Sequence, residues 1–170
     1  MNKKEIIKPA VILTVICFVV AGLLALTNYI TADKIAKAKA DSIAEAMESL
    51  VPGAEFSEIK ENSYSATENG QISAYVFITE EMGYKSKIEV MTAVNAADGT
   101  IIGVTVTGCA DESPGIGQKV GSDQSFTDQF SGQSGTAQAD AITGATFSSK
   151  AVTKAVNDAL AEFSEIKEGN

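Results

Sequence analysis

The chain has 170 residues, 45% of them apolar, and a formal net charge of −9. A length of this order serves one compact domain of about 100–200 residues. All 13 basic residues are lysines, and histidine and tryptophan are absent, which excludes a Ser-His-Asp or Cys-His nucleophile pair, histidine metal ligation and an arginine fork on phosphate or carboxylate.

The apolar excess is concentrated at one end, where Pro9 to Ala32 is an uncharged run of 24 residues. As a helix rising about 1.5 Å per residue it is about 36 Å long, more than a hydrocarbon core of roughly 30 Å. Lys8 precedes it, Pro9 fits its first turn, and Tyr29 stands where an interfacial ring anchors a span. The competing reading is a cleaved signal peptide, but the run exceeds a usual signal core and no clear small-x-small cleavage site follows. Residues 1–32 are therefore read as a cytoplasmic tail and a single transmembrane helix. Lys3, Lys4 and Lys8 on one side balance Lys34, Lys37 and Lys39 on the other, and the short N-terminal tail tilts the orientation towards an extracytoplasmic body.

Residues 33–53 read as a stalk helix, with Ile35, Ile43, Met47, Leu50 and Val51 near helical spacing and Pro52-Gly53 ending it. Beyond residue 32 there are ten lysines against 21 acidic residues, a net charge of −11 that repels nucleic acid. Period-two alternation predicts strands at Ile72–Thr79, Ile88–Val94 and Ile101–Thr107, with Lys85, Lys87 and Glu89 marking a solvent face of the middle one. Asn95 to Gly99 is the hairpin turn before the third. An amphipathic helix is predicted from about Phe147 to Glu165, with Val152, Val156, Ala159, Leu160 and Phe163 on one stripe. About 40 residues poor in apolar positions precede it, longer than a simple connection needs. The fold class expected for 54–170 is α+β, a mostly antiparallel sheet with a C-terminal helix covering one face. Cys17 and Cys109 lie in different phases and are not expected to pair.

Two loops carry candidate chemistry. In Asp111-Glu112-Ser113-Pro114-Gly115-Ile116-Gly117-Gln118-Lys119, Gly115 and Gly117 let backbone amides approach a ligand while Pro114 stiffens the entry. An ordinary glycine turn with Glu112 in solvent explains the same residues, because the spacing is neither a dinucleotide fingerprint nor a phosphate loop. In Asp140-Ala-Ile-Thr143-Gly144-Ala145-Thr146-Phe-Ser-Ser149, Thr146 stands at an N-cap or first-turn position, where free amides and the helix dipole would solvate a phosphate. A capping threonine with no further role is the alternative.

Asp140–Thr146 resembles the flavinylation motif Asp-x-x-(Ser/Thr)-Gly-Ala-Thr of the FMN-binding domain family, found in the G subunit of the Rnf electron-transport complex and the C subunit of the Na⁺-translocating quinone reductase. Glu112–Gly117 is similar to the Glu-Thr-Pro-Gly-Leu-Gly loop of that domain, with Ser113 for Thr and Ile116 for Leu. The layout of one span, a strand-rich middle and these motifs in order covers the whole chain, and the length is nearer the Rnf subunit. The resemblance implies FMN transferred from FAD by a flavin transferase onto Thr146 as a phosphoester, with Thr143 a neighbour, Gly144 and Ala145 keeping the loop slim, and Asp140 aiding transfer. Glu112, Ser113, Pro114, Gly115, Ile116 and Gly117 would bound the flavin, Ile116 or Phe147 would form its walls, and Lys119 or Lys150 would be counter-charges. Cys109 is read as a packed residue.

The implied function is an electron relay in a membrane-bound, ion-translocating ferredoxin:NAD⁺ oxidoreductase, with no catalytic residue and no metal site of its own and no complete turnover alone. Its implied partners are the other membrane subunits, the transferase and membrane lipid. A stand-alone anchored flavoprotein, the quinone-reductase subunit, and a cofactor-free binding or sensor domain are the alternatives.

Overall fold

The computed structural model describes residues 3–168. The chain forms two compact units, 1–41 and 42–170. Helix α1 runs Lys3–Leu50 and carries Pro9 inside it. Its segment from Ile7 is long and apolar enough to cross a membrane, and none of that apolar window is buried in protein. Phe18, Leu24 and Tyr29 are 76%, 67% and 82% exposed.

The second unit is built on a five-stranded antiparallel sheet in chain order, β1 Glu55–Lys60, β2 Ser63–Glu68, β3 Gln71–Met82, β4 Lys87–Asn95 and β5 Ile101–Gly108. The antiparallel class and the closing helix agree with the sequence, and β3, β4 and β5 lie where the alternation puts them. The β4–β5 turn holds Gly99 at φ 75° as expected. The sequence reading misses β1 and β2. Their hairpins close on Asn62 at φ 62° and on Asn69-Gly70 at φ 52° and 79°, the left-handed pair that a two-residue β-turn requires.

Both faces of the sheet are covered, which corrects the expectation of one covered face and a solvent face on β4. On one side Phe77, Ile88, Val90 and Val94 pack under helix α4, Thr146–Glu168, which contributes Val152, Val156, Ala159, Leu160 and Phe163. On the other, Val76, Ile78, Met91 and Ala93 are buried against Met47 and Val51 at the end of α1. Residues 42–50 therefore pack on the sheet as core. Each fully buried side chain of this size is worth about 1.5–3 kcal/mol relative to exposure.

The long segment before α4 is also partly ordered as core. Two single-turn helices, α2 Lys119–Ser122 and α3 Gln124–Thr127, and a 3₁₀ turn, Asp128–Phe130, bury Val120, Phe126 and Phe130 beside β5. The two phenylalanine rings meet edge-on at 5.6 Å. From there Asn157 on α4 accepts from the Ala137 amide at 2.8 Å and donates to its carbonyl at 3.0 Å. Gln129 accepts from the Asp140 amide at 2.8 Å. These bonds deliver the chain to the head of α4 in a fixed path.

Candidate functional site: a cleft at the head of the last helix

Three segments converge beside the start of α4. The chain leaves β5, turns through Glu112, whose amide donates to Cys109 O at 3.1 Å, and folds back as the amides of Ile116 and Gln118 both donate to Ser113 O at 3.2 Å. The β3–β4 connection supplies Gly83 to Ser86. The third segment is the approach to α4, where Gly144 takes φ 84° and the Ala145 amide donates to Ile142 O at 2.9 Å.

Glu112 joins all three. It is 1% exposed. Its Oε1 accepts from the amides of Lys85 and Ser86, each at 2.8 Å, and from Ser86 Oγ at 3.3 Å, while Ser148 Oγ donates to its Oε2 at 2.7 Å. Burial pushes this carboxyl up, but the amides of Ser86 and Lys85 and the hydroxyls of Ser148 and Ser86 outweigh it and hold it below its ordinary 4.5. The reading of Glu112 as a solvated turn residue is thus corrected. Room for it requires glycine on both flanks, since a Cβ at Gly83 would fall 2.7 Å from Oε1 and one at Gly117 would fall 2.5 Å from Oε2.

At the helix head, Ala145 holds the N-cap position and Thr146 is the first helical residue, so of the two placements the sequence allows, the first turn is the one observed. Ser149 closes the approach, its amide donating to Ala145 O at 2.9 Å and its hydroxyl accepting from the Ile142 amide at 3.1 Å. The amides of Thr146, Phe147 and Ser148 make no hydrogen bond among the described residues, leaving a helix head with free donors and the positive end of its dipole.

The cleft beside it has a volume of about 390 Å³ and is lined by Ser113, Ile116, Gly117, Gly144, Ala145, Ser148 and two aromatic rings, Tyr84 and Phe147. Tyr84 and Phe147 are 71% and 70% exposed, with ring centroids 6.1 Å apart. Of the residues singled out in the sequence, Ser113, Ile116, Gly117, Gly144 and Ala145 line the cleft, and Glu112 lies behind its wall. Thr146 is exposed between two lining residues. Pro114, Gly115, Lys119, Asp140, Thr143 and Lys150 are exposed and do not line it. Cys109 packs against the core, where burial pushes its thiol up. Tyr84 and Ser86 escape the sequence reading, because only the folded β3–β4 connection brings them to the two motifs, and Ser148, inside the second motif segment, gains its part only through its bond to Glu112.

Residues 83–161 match the FMN-binding domain and residues 1–50 match the RnfG N-terminal region. The G subunit of the Na(+)-translocating ferredoxin:NAD(+) oxidoreductase complex of Acetobacterium woodii is 30% identical over 96% of this chain and 94% of its own length. The G subunit of the proton-translocating ferredoxin:NAD(+) oxidoreductase complex of Clostridium ljungdahlii is 32% identical over 92% and 91%. The chain belongs to the RnfG family. The G subunit of the ion-translocating oxidoreductase complex of Methanosarcina acetivorans is 30% identical over 99% of both chains. The crystal structure of Shewanella oneidensis NqrC shares the fold, with a TM-score of 0.52 over 69% of this chain and 70% of that one at 22% identity. The family places an FMN-binding domain on β4, β5, the two motif loops and most of α4, and the apolar α1 is consistent with a membrane anchor.

FMN fits the residues present. Three free amides at one helix head suit a phosphate. The cleft falls within the roughly 300–1,000 Å³ of small-molecule sites, and Ile116, Tyr84 and Phe147 offer apolar walls to a planar ring.

Proposed function

We propose that this chain carries one FMN, esterified through its phosphate to Thr146, and serves as an electron relay in a membrane-bound, ion-translocating ferredoxin:NAD⁺ oxidoreductase. The observation that carries the reading is the exposed Thr146 hydroxyl at a helix head whose first three amides are free, beside a cleft walled by aromatic rings. FMN, when bound, supplies the electron chemistry, and the protein supplies position and field. The amides of Thr146 to Ser148 neutralise phosphate charge in place of the absent arginine. Tyr84 and Phe147 would offer apolar contact to the ring, and Ile116 would add the wall that the Ser113–Gly117 loop supplies.

In this reading the apolar part of α1 anchors the chain in the lipid, the body from residue 42 lies on the extracytoplasmic side, and the other complex subunits are its electron partners. Asp140 and Thr143, six and three residues before the acceptor, are exposed, so a flavin transferase has access to them.

The test is the intact mass of the chain from its native membrane, expected to exceed the sequence mass by one FMN. Thr146→Ala is expected to abolish flavin fluorescence in a denaturing gel, whereas Thr143→Ala lowers it at most. A fluorescent Thr146→Ala band, or flavin mapped to Thr143 or Ser148, overturns the attachment site.

A further inference from the structure

The mechanical tie among the three segments of the cleft does not need a charge, yet Glu112 supplies one. Its four donors are two backbone amides and two hydroxyls, all neutral. Among the described residues no lysine ammonium stands within ion-pair distance of it, and Lys85 contributes only its amide. Burying a carboxylate without a cation is costly, and a neutral amide of the same shape would make most of the same bonds with less loss of hydration.

The place of the charge suggests its use. Two cleft-lining residues sit against the carboxylate: Ser148, whose hydroxyl donates to Oε2, and Gly117, where an added Cβ would fall 2.5 Å from Oε2. One layer of protein therefore separates the negative charge, 1% exposed, from whatever the cleft holds. A charge removed from contact with bulk water is screened less than one on the open surface. A second group already feels it. The Cys109 thiol is pushed above its ordinary 9.0 by burial, and the Glu112 carboxylate adds to the shift.

We propose that the Glu112 charge lowers the reduction potential of the flavin bound in the adjacent cleft, so that the reduced cofactor passes its electrons on more readily. The inference rests on reading the cleft as the FMN site. Reduction adds electron density to the ring, and a fixed negative charge behind the wall disfavours the reduced form relative to the oxidised one. The partial positive charge of the α4 head opposes this only in part, since it amounts to about half an elementary charge and faces the phosphate.

The test is a spectroelectrochemical titration of the full FMN-bearing chain at neutral pH. Glu112→Gln removes the charge while its carbonyl can still accept both amides, and its midpoint is expected above that of the wild type. Glu112→Asp keeps the charge and shortens the reach, and its midpoint is expected closer to the wild type than that of Gln. A Gln midpoint equal to or below the wild type overturns the proposal, as does an Asp variant that rises as far as Gln. A Gln chain that folds without taking flavin also overturns it, because the residue would then act in attachment. If Gln does not melt cooperatively, Ser148→Ala carries the test, since it strips one donor and leaves the charge. A lower midpoint then supports the proposal, and an unchanged or higher one overturns it. A wild-type chain from its native membrane with no flavin defeats the underlying reading instead, before any variant is compared.

Discussion

Glu112 shows how one side chain links stability to the site. Its carboxyl titrates below 4.5 in the folded chain, because the amide and hydroxyl donors outweigh burial, and near 4.5 in the unfolded chain. The folded state therefore favours the ionised form. Its contribution is complete above the unfolded value and is lost as pH falls through the folded one. Urea midpoints of flavin-free chain measured from neutral pH down past 4.5 are expected to drop less steeply in Glu112→Gln than in wild type. Identical slopes would mean that the buried carboxylate is not the acid-sensitive group. Lys154 makes the contrast. It pairs with Glu81 and, at 2.8 Å, with Asp158, but its side chain is 59% exposed. Lys154→Ala is expected to leave the midpoint of the same denaturation nearly unchanged. Gly117 is less tolerant than either, since an alanine Cβ there would meet Glu112 Oε2 at 2.5 Å and Ser148 Oγ at 3.1 Å. Gly117→Ala is expected to lower flavin content in purified protein.

Among the elements, α4 does most to join core and cleft, since its buried stripe holds the sheet while its head carries Thr146. Phe163 is 6% exposed and its ring sits 5.8 Å from that of Tyr75. Phe163→Ala is expected to cost about 3–5 kcal/mol in equilibrium unfolding. The stripe was legible in the sequence because burial on one helix face leaves a 3.6-residue period, and β3, β4 and β5 were legible from their alternation. The hairpin of β1 and β2 was not, because its inward positions include Ser63 and Ser65, buried to 0% and 5% exposure yet polar. Ser63 Oγ donates to Glu162 on α4 at 2.9 Å and Ser65 Oγ to Ser57 O at 3.3 Å, so these inward positions are satisfied by hydrogen bonds and leave no apolar period to read. The Asn69-Gly70 pair, which turns β2 into β3, was the signal that could have found β2. The site divides similarly. Its two loops carry local motifs, whereas the burial of Glu112 depends on donors 26, 27 and 36 residues away in the chain.

At the scale of the whole molecule, the boundary between anchor and body follows from which residues complete the core. Sequence punctuation at Pro52-Gly53 suggests that the body begins after the helix, at residue 54. The packing argues for an earlier start, because Met47 and Val51, 7% and 5% exposed, cover Val76, Ile78, Met91 and Ala93 on the sheet face away from α4. A chain of residues 42–170 retains both core clusters, while a chain of 54–170 exposes one of them. Losing the burial of two such side chains costs several kcal/mol at about 1.5–3 kcal/mol each, before counting the sheet surface they leave bare. That is a large share of the roughly 5–15 kcal/mol that stabilises a domain. The 42–170 chain is accordingly expected to stay in the soluble fraction, melt cooperatively near the temperature of the full chain in detergent, and take flavin on Thr146 when made together with a flavin transferase. The 54–170 chain is expected to melt well below it or to aggregate. Equal melting temperatures for the two chains would show that the end of α1 rests on the sheet without stabilising it, and would return the boundary to residue 54.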